Sequence, residues 1–242
     1  MELFESEHFA SLKQKYDSVG NLTWEQNDFL EDSIKSSRAL FLDESLHRRE
    51  PVPKELEVYA LLSGIQFPQR VTSMLESVQM SISSILGDSL HYWVLPKNLG
   101  LEYGVFKWPE DSWDGARIHL IREALLALEV APFSFYIFGI QINPDGCVVA
   151  KGYDEGAAIF KVREELRTNL SFFPKRQSGW AHIPLGRILE PIGKEKFYEL
   201  KLLISEIGQK FIVEHKLTSA KFVHETRWYM EEKTVLSELN FE

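Results

Sequence analysis

The run from Phe133 to Ile142 constrains the fold more than any other part of this sequence. It is dense in aromatic and β-branched side chains and far too short to cross a bilayer as a helix. Asn143-Pro144-Asp145-Gly146 follows, a tetrapeptide suited to a tight turn, and the β pattern resumes from Cys147 to Tyr153. Two such runs around such a turn predict an antiparallel hairpin. A hairpin in a chain that also carries helical periodicities excludes an all-parallel α/β sheet and points to α+β.

The other elements fit that class. Leu56, Val58, Ala60 and Leu62 alternate as a strand does, and Val71, Leu75, Val78, Ile82 and Ile85 follow helical spacing up to Gly87. Leu90 to Leu95 and Leu99 to Trp108 predict a strand pair around Pro96-Lys97-Asn98. Asp114 suits the cap of a helix that carries Ile118, Ile121, Leu125 and Leu128. After the hairpin, Ile159, Val162, Leu166 and Leu170 mark a helix, 171–180 a loop, and Ala181 to Leu189 a strand. Phe197, Leu200, Ile204 and Ile207 mark the last helix; Leu217 to Trp228 and Lys233 to Leu239 predict two closing strands. The order β-α-β-β-α then β-β-α-β-α-β-β predicts two pseudo-symmetric lobes of largely antiparallel sheet, with outer helices, around a central cleft.

Residues 1–52 read as an N-terminal helical extension and 53–242 as the bilobal domain. Thr23-Trp24-Glu25-Gln26 has the capping-box pattern and predicts a helix start, with Phe29, Leu40, Phe41 and Leu42 as docking positions. The first fifty residues hold 11 acids and 6 bases, and the whole chain 36 acids against 27 Lys and Arg, a net charge of −9. That balance excludes a broad grip on duplex DNA but leaves room for a local basic pocket. Cys147 stands alone, so neither an intrachain disulfide nor a Cys-rich zinc site can form. There is no His-x-x-x-His, no P-loop and no dinucleotide fingerprint, so no metal and no cofactor is expected. The acidic start lacks a signal-peptide core and no apolar run reaches membrane length; a cytoplasmic protein without membrane contact is the expectation.

Two segments occupy corresponding places in the halves: Pro96-Lys97-Asn98-Leu99-Gly100-Leu101-Glu102 and Gly179-Trp180-Ala181-His182-Ile183-Pro184-Leu185-Gly186-Arg187. Aligned, Gly100 stands opposite His182 and Glu102 opposite Pro184. Residues i and i+2 share a strand face, so each pair projects together. From about residue 53 onward the chain resembles the two-histidine phosphoesterases, the superfamily of the 2′,5′ RNA ligase-like and cyclic phosphodiesterase-like proteins. Their hallmark is a His-x-Thr/Ser motif in each lobe. Three of the four hallmark positions differ here: Gly100, Glu102 and Pro184 stand where a His and two hydroxyl residues are expected, and only His182 remains.

The resemblance implies a general acid and base acting on a cyclic or 2′,5′ phosphodiester, with hydroxyls on the phosphate. Such proton transfer contributes about 10²–10⁴-fold per group. A glycine cannot transfer a proton, so the expected function is binding of a nucleotide-like or phosphorylated ligand, or an RNA end, with weak or no phosphodiesterase activity. Any activity would be that of a cyclic phosphodiesterase-type hydrolase, with His182 and Glu102 as the catalytic pair. Lys175, Arg176, Arg187 and Arg227 are the candidates for phosphate, and Trp180 and Tyr103 for further substrate contact, Trp180 by stacking on a base. His224, Thr226 and Trp228 alternate with Glu225, Arg227 and Tyr229, so one of those two faces can reach the cleft. The alternative is a non-catalytic module that meets a protein partner through the acidic N-terminal helices.

Overall fold

The computed structural model describes residues 6–65, 67–210 and 212–242. Three helices come first: α1 (Glu7–Trp24), α2 (Glu31–Arg38) and α3 (Asp43–His47). The rest of the chain gives β1 (Glu55–Ser63), α4 (Gln69–Leu86), β2 (His91–Trp93), β3 (Leu101–Lys107), α5 (Arg117–Leu126), β4 (Phe133–Ile142), β5 (Cys147–Asp154), α6 (Ala158–Asn169), β6 (Ile183–Ile188), α7 (Lys194–Lys210), β7 (Ile212–Leu217), β8 (Ser219–Arg227) and β9 (Glu232–Asn240). The strands form two antiparallel sheets, ordered β3-β1-β8-β9 and β2-β6-β5-β4-β7. This is the α+β architecture of two facing sheets with outer helices that the strand pattern implied.

Two connections differ from the sequence reading. The segments 90–95 and 99–108 do not pair with each other. β2 joins β6 and β3 joins β1, because the 3-10 turn Pro96–Asn98 carries the chain from one sheet to the other. The strand read from Leu217 to Trp228 is β8 beside β1; ahead of it lies a strand that was not read, β7, which pairs with β4 before the chain crosses at Thr218 to β8. Three strands therefore close the fold instead of two.

Alternation along β4 separates two coverings. Phe135, Ile137 and Ile140 lie in the main core with Leu75, Val78 and Ile82 of α4 and Phe197 and Leu200 of α7. Tyr136 and Phe138 point the other way, onto Phe9, Leu12 and Tyr16 of α1. Helix α1 starts at Ser6, whose hydroxyl accepts the Phe9 N–H. The capping box expected at Thr23 is not formed. Thr23 sits one residue from the end of α1, where its hydroxyl reaches the Ile142 carbonyl at 2.7 Å. Phe29 and Phe41 dock as expected, Leu40 is half-buried, and Leu42 faces solvent because it precedes α3 on the outer side.

The α1 contact is specific. The Tyr16 hydroxyl donates to the Gly152 carbonyl at 3.1 Å and accepts from the Gly152 N–H at 3.2 Å. Only glycine fits there: a Cβ on residue 152 would lie 1.8 Å from the Ala181 carbonyl oxygen. Strand pairing between β5 and β6 stops at Ala150 and Ile183, and the phenol takes over. Tyr16→Phe leaves both buried backbone groups unpaired and is expected to cost about 1–3 kcal/mol in urea unfolding. A loss below about 0.5 kcal/mol would mean that water replaces the hydroxyl.

Candidate functional site

The two aligned segments fall on β3 of one sheet and β6 of the other. On β1, Leu62 pairs with Glu102, Ala60 with Val105 and Val223, and Val58 with Glu225. One face of the four-stranded sheet therefore carries small apolar residues (Val58, Ala60, Leu62, Val105 and Val223) with two carboxyls, Glu102 and Glu225, among them. Trp108, Leu56 and Met230 rim this face. On the other sheet Pro184 pairs with Val149, so His182 and Pro184 share the face that α1 partly covers. Gly100, Glu102, His182 and Pro184 all keep partial exposure, while Leu99, Leu101, Tyr103, Ala181, Ile183 and Leu185 between them are buried. The alternation read from sequence is thus present in both strands.

Arg163 of α6 ties the two segments together. Its Nε donates to the Tyr103 carbonyl at 2.5 Å and Nη1 to the Ser178 carbonyl at 2.8 Å. Nη2 donates to the Glu102 carbonyl at 2.9 Å and to the Trp180 carbonyl at 3.0 Å. One nitrogen so close to both oxygens places β3 and the approach to β6 side by side. Gln177 seals the same edge, accepting the Val105 N–H and donating to its carbonyl at 2.8 Å. The opposite end is tied by the β8–β9 turn: Tyr92 donates to Glu231 at 2.7 Å, and Arg187 Nε donates to the Tyr229 hydroxyl at 2.7 Å.

The electrostatics of the cleft follow from burial. The His182 imidazole is pushed down to about 4, by burial and then by the Arg163 and Arg187 charges. Burial raises the Glu102 carboxyl, against a smaller opposing pull from Arg163. Glu225 rises to about 7, mainly by burial and with a contribution from Glu102; the Met230 N–H, which it accepts at 2.9 Å, works the other way. Lys233 donates to Asn98 Oδ1 at 2.7 Å and to the Met230 carbonyl at 2.9 Å. Asn98 Nδ2, Glu102 Oε1 and His182 Nδ1 are sealed from solvent and have no hydrogen-bond partner.

These shifts set a pH dependence of opposing parts. Between 4.5 and about 7 the folded protein keeps a proton on Glu225 that the unfolded chain has released, so stability falls as pH rises. Between 6.5 and about 4 the unfolded chain takes up a proton that folded His182 refuses, so stability falls as pH drops. The two offset each other where the windows overlap. Glu225→Gln removes the first part alone. Relative to wild type, its stability is expected to gain on the order of 2–3 kcal/mol between pH 5 and pH 8 in urea unfolding; parallel curves would contradict the burial of that carboxyl.

The other residues singled out from sequence are scattered. Trp180 is half-buried, its ring 5.1 Å from Tyr16 and 5.6 Å from His182, so α1 occupies part of the surface on which a base would stack. Arg187 is engaged by Asp145 and Ser37 as well as Tyr229. Arg176 is exposed, paired with Glu110 and 4.5 Å over the Trp108 ring; Lys175 is exposed beside it. Arg227 lies away from the cleft with Glu55, Glu232 and the Pro53 carbonyl. Tyr103 points into the core, where its hydroxyl accepts from Ser63 at 3.0 Å. Of the 224–229 segment, Glu225 is the residue on the cleft face, and Trp228 begins a 3-10 turn. Arg163, Glu225, Asn98, Lys233 and Trp108 were not singled out as site residues from the sequence. Among the described residues no three metal-type side chains converge, and no helix is long and apolar enough to cross a membrane.

No family model matches the sequence, and no curated protein matches it. Solved structures do share its fold. TT0787 of Thermus thermophilus is 17% identical, with a TM-score of 0.55 over 76% of this chain and 97% of its own. E. coli LigT complexed with 3′-AMP is 11% identical, with a TM-score of 0.53 over 78% of this chain and 99% of its own. LigT complexed with ATP superposes at a TM-score of 0.52 and 12% identity, over 77% and 99% of the two chains. The fold implied by the sequence resemblance, that of the two-histidine phosphoesterases, is the fold of this chain.

Proposed function

We propose that this chain is a binding protein on the LigT fold, whose cleft takes a nucleotide-like ligand and turns it over slowly or not at all. The observation that carries the reading is the makeup of the cleft. The one remaining motif imidazole, His182, is held neutral, and a carboxyl, Glu102, stands in the other strand at a position where the resemblance calls for a hydroxyl. Acid–base cleavage of a phosphodiester needs a proton acceptor and a proton donor on opposite sides of the reacting phosphorus, and Gly100 supplies neither. Binding is supported by LigT, whose structures hold 3′-AMP, phosphate, ATP and NADP+.

Titration with a panel of mononucleotides, followed by tryptophan fluorescence and calorimetry, tests this. Trp180 and Trp108 border the cleft, so binding is expected to quench emission. Trp180→Ala should weaken it by about tenfold, in keeping with about 1–3 kcal/mol for a lost stacking surface. Absence of binding across the panel overturns the reading. The acidic outer side of α1–α3 would then be the surface on which to seek a protein partner.

A further inference from the structure

We propose that the cavity at the crossing from β7 to β8 is an anion site, apart from the paired segments on β3 and β6, and that it takes a phosphate-type oxyanion, free or carried by a small molecule. It stands independently of nucleotide binding in the cleft.

The crossing at Thr218 makes this site. β7 belongs to the five-stranded sheet and β8 to the four-stranded one, so Lys216 and Lys221, close in sequence, come from different sheets. Both line one cavity of about 280 Å³, together with His215, Thr218, Ser219 and Glu238. That volume lies just below the span of about 300–1,000 Å³ typical of small-molecule sites, so the occupant is small. Phe67, ahead of α4, forms one wall, with its ring edge-on to His215 at 5.7 Å between centroids.

The charges are arranged for an anion. Lys221 and Glu238 stand directly opposite each other on β8 and β9, where opposite charges ordinarily pair. Here they do not. Glu238 accepts the Ser219 hydroxyl at 2.9 Å, and neither Lys221 nor Lys216 has a hydrogen-bond or ion-pair partner among the described residues. The half-buried Lys196 and Lys233, by contrast, are each held by protein oxygens. Burial lowers the His215 pKa, so at pH 7 its ring is neutral and offers an N–H without adding a third positive charge. An oxyanion entering the cavity gains charge-assisted bonds from both ammoniums. A cation or an apolar ligand would leave the two ammoniums unmatched, and the net charge of −9 works against a long polyanion.

The test titrates the full chain with inorganic phosphate and with glycerol 3-phosphate at pH 7 and low salt, following the histidine ring resonances by NMR. The His215 ring is expected to shift saturably, with a Kd in the millimolar range or tighter, while the His182 ring stays in place. Added salt should weaken the binding. Tighter binding of the ester assigns the oxyanion to a small molecule; equal or weaker binding assigns it to free phosphate. Lys221→Gln is expected to weaken binding by about tenfold, Lys221→Arg to keep it within about threefold, and Lys216→Gln with Lys221→Gln to abolish it. Urea unfolding close to wild type shows that these variants fold. Absence of a saturable shift at His215, a shift at His182 in its place, or a folded double variant that binds like wild type each overturns the proposal. None of these outcomes touches the cleft reading, which tryptophan emission scores separately.

Discussion

Replacing Arg163 by methionine is expected to destabilise the protein by more than about 4 kcal/mol, in the range reached only when a buried network breaks. The guanidinium bonds four main-chain carbonyls, two on β3 and two in the loop that leads into β6, and lies 4.8 Å over the Phe160 ring. Hydrogen bonds to a charged group are worth about 1.5–3 kcal/mol each, and methionine fills the space without donating any. Arg163→Lys keeps the charge but loses the planar fork, so it should recover less than half of the loss. Urea unfolding of both variants decides the matter. A cost below about 1 kcal/mol for the methionine variant would show that water satisfies those carbonyls and that the two strands are held together elsewhere.

Refitting β3 and β6 to the hallmark pattern is expected to give the second large effect. Wild type is expected to cleave 2′,3′-cyclic nucleotides slowly or not at all. The triple variant Gly100→His, Glu102→Thr, Pro184→Thr refits both strands to the hallmark pattern. Space for the first change exists at the backbone. A Cβ on residue 100 would sit 3.8 Å from the Ser63 carbonyl oxygen, 3.9 Å from that of Asn98 and 4.0 Å from Leu62 Cδ1, all ordinary contacts. A gain of about 10²-fold or more in kcat over wild type is expected, as one recovered proton-transfer group can supply. Adding His182→Ala to the triple variant should abolish the gain. A folded triple variant that cleaves no faster than wild type would show that β3 and β6 are not the counterpart strands that the aligned segments suggest.

How much of this was legible in the sequence depends on how local each signal is. The 133–153 hairpin was, because alternation and turn chemistry lie within twenty or so consecutive residues. The paired segments on β3 and β6 were, because the repeat is itself a sequence pattern. β7 was not: from Gln209 to Ser219 the sequence holds neither glycine nor proline, so nothing local marks a separate strand between the last helix and the one read from Leu217. The Thr23 cap misled because a four-residue pattern is satisfied at a helix end as readily as at a start, and the hydroxyl found a strand carbonyl instead. Arg163 reads as one more polar position on an amphipathic helix. Its role appears only when β3 and the 178–180 approach arrive on the same side of α6. Glu225 likewise looks like half of a solvent-facing alternation until the β8–β9 turn folds back over it.

The ties at the two ends of β6 have a mechanical consequence. Arg163 fastens the sheets where β6 begins, and Arg187 with Tyr229 fastens them where it ends. A clam-shell opens about one hinge because its far rim is free. Here both rims are tied, so spreading the halves apart would first break the bonds of Arg163 or of Arg187 with Tyr229. Anything that enters must do so by rotation of single side chains such as Trp180 or Met230. Entry should then proceed at the pace of rotamer exchange, with little change in the separation of the two halves.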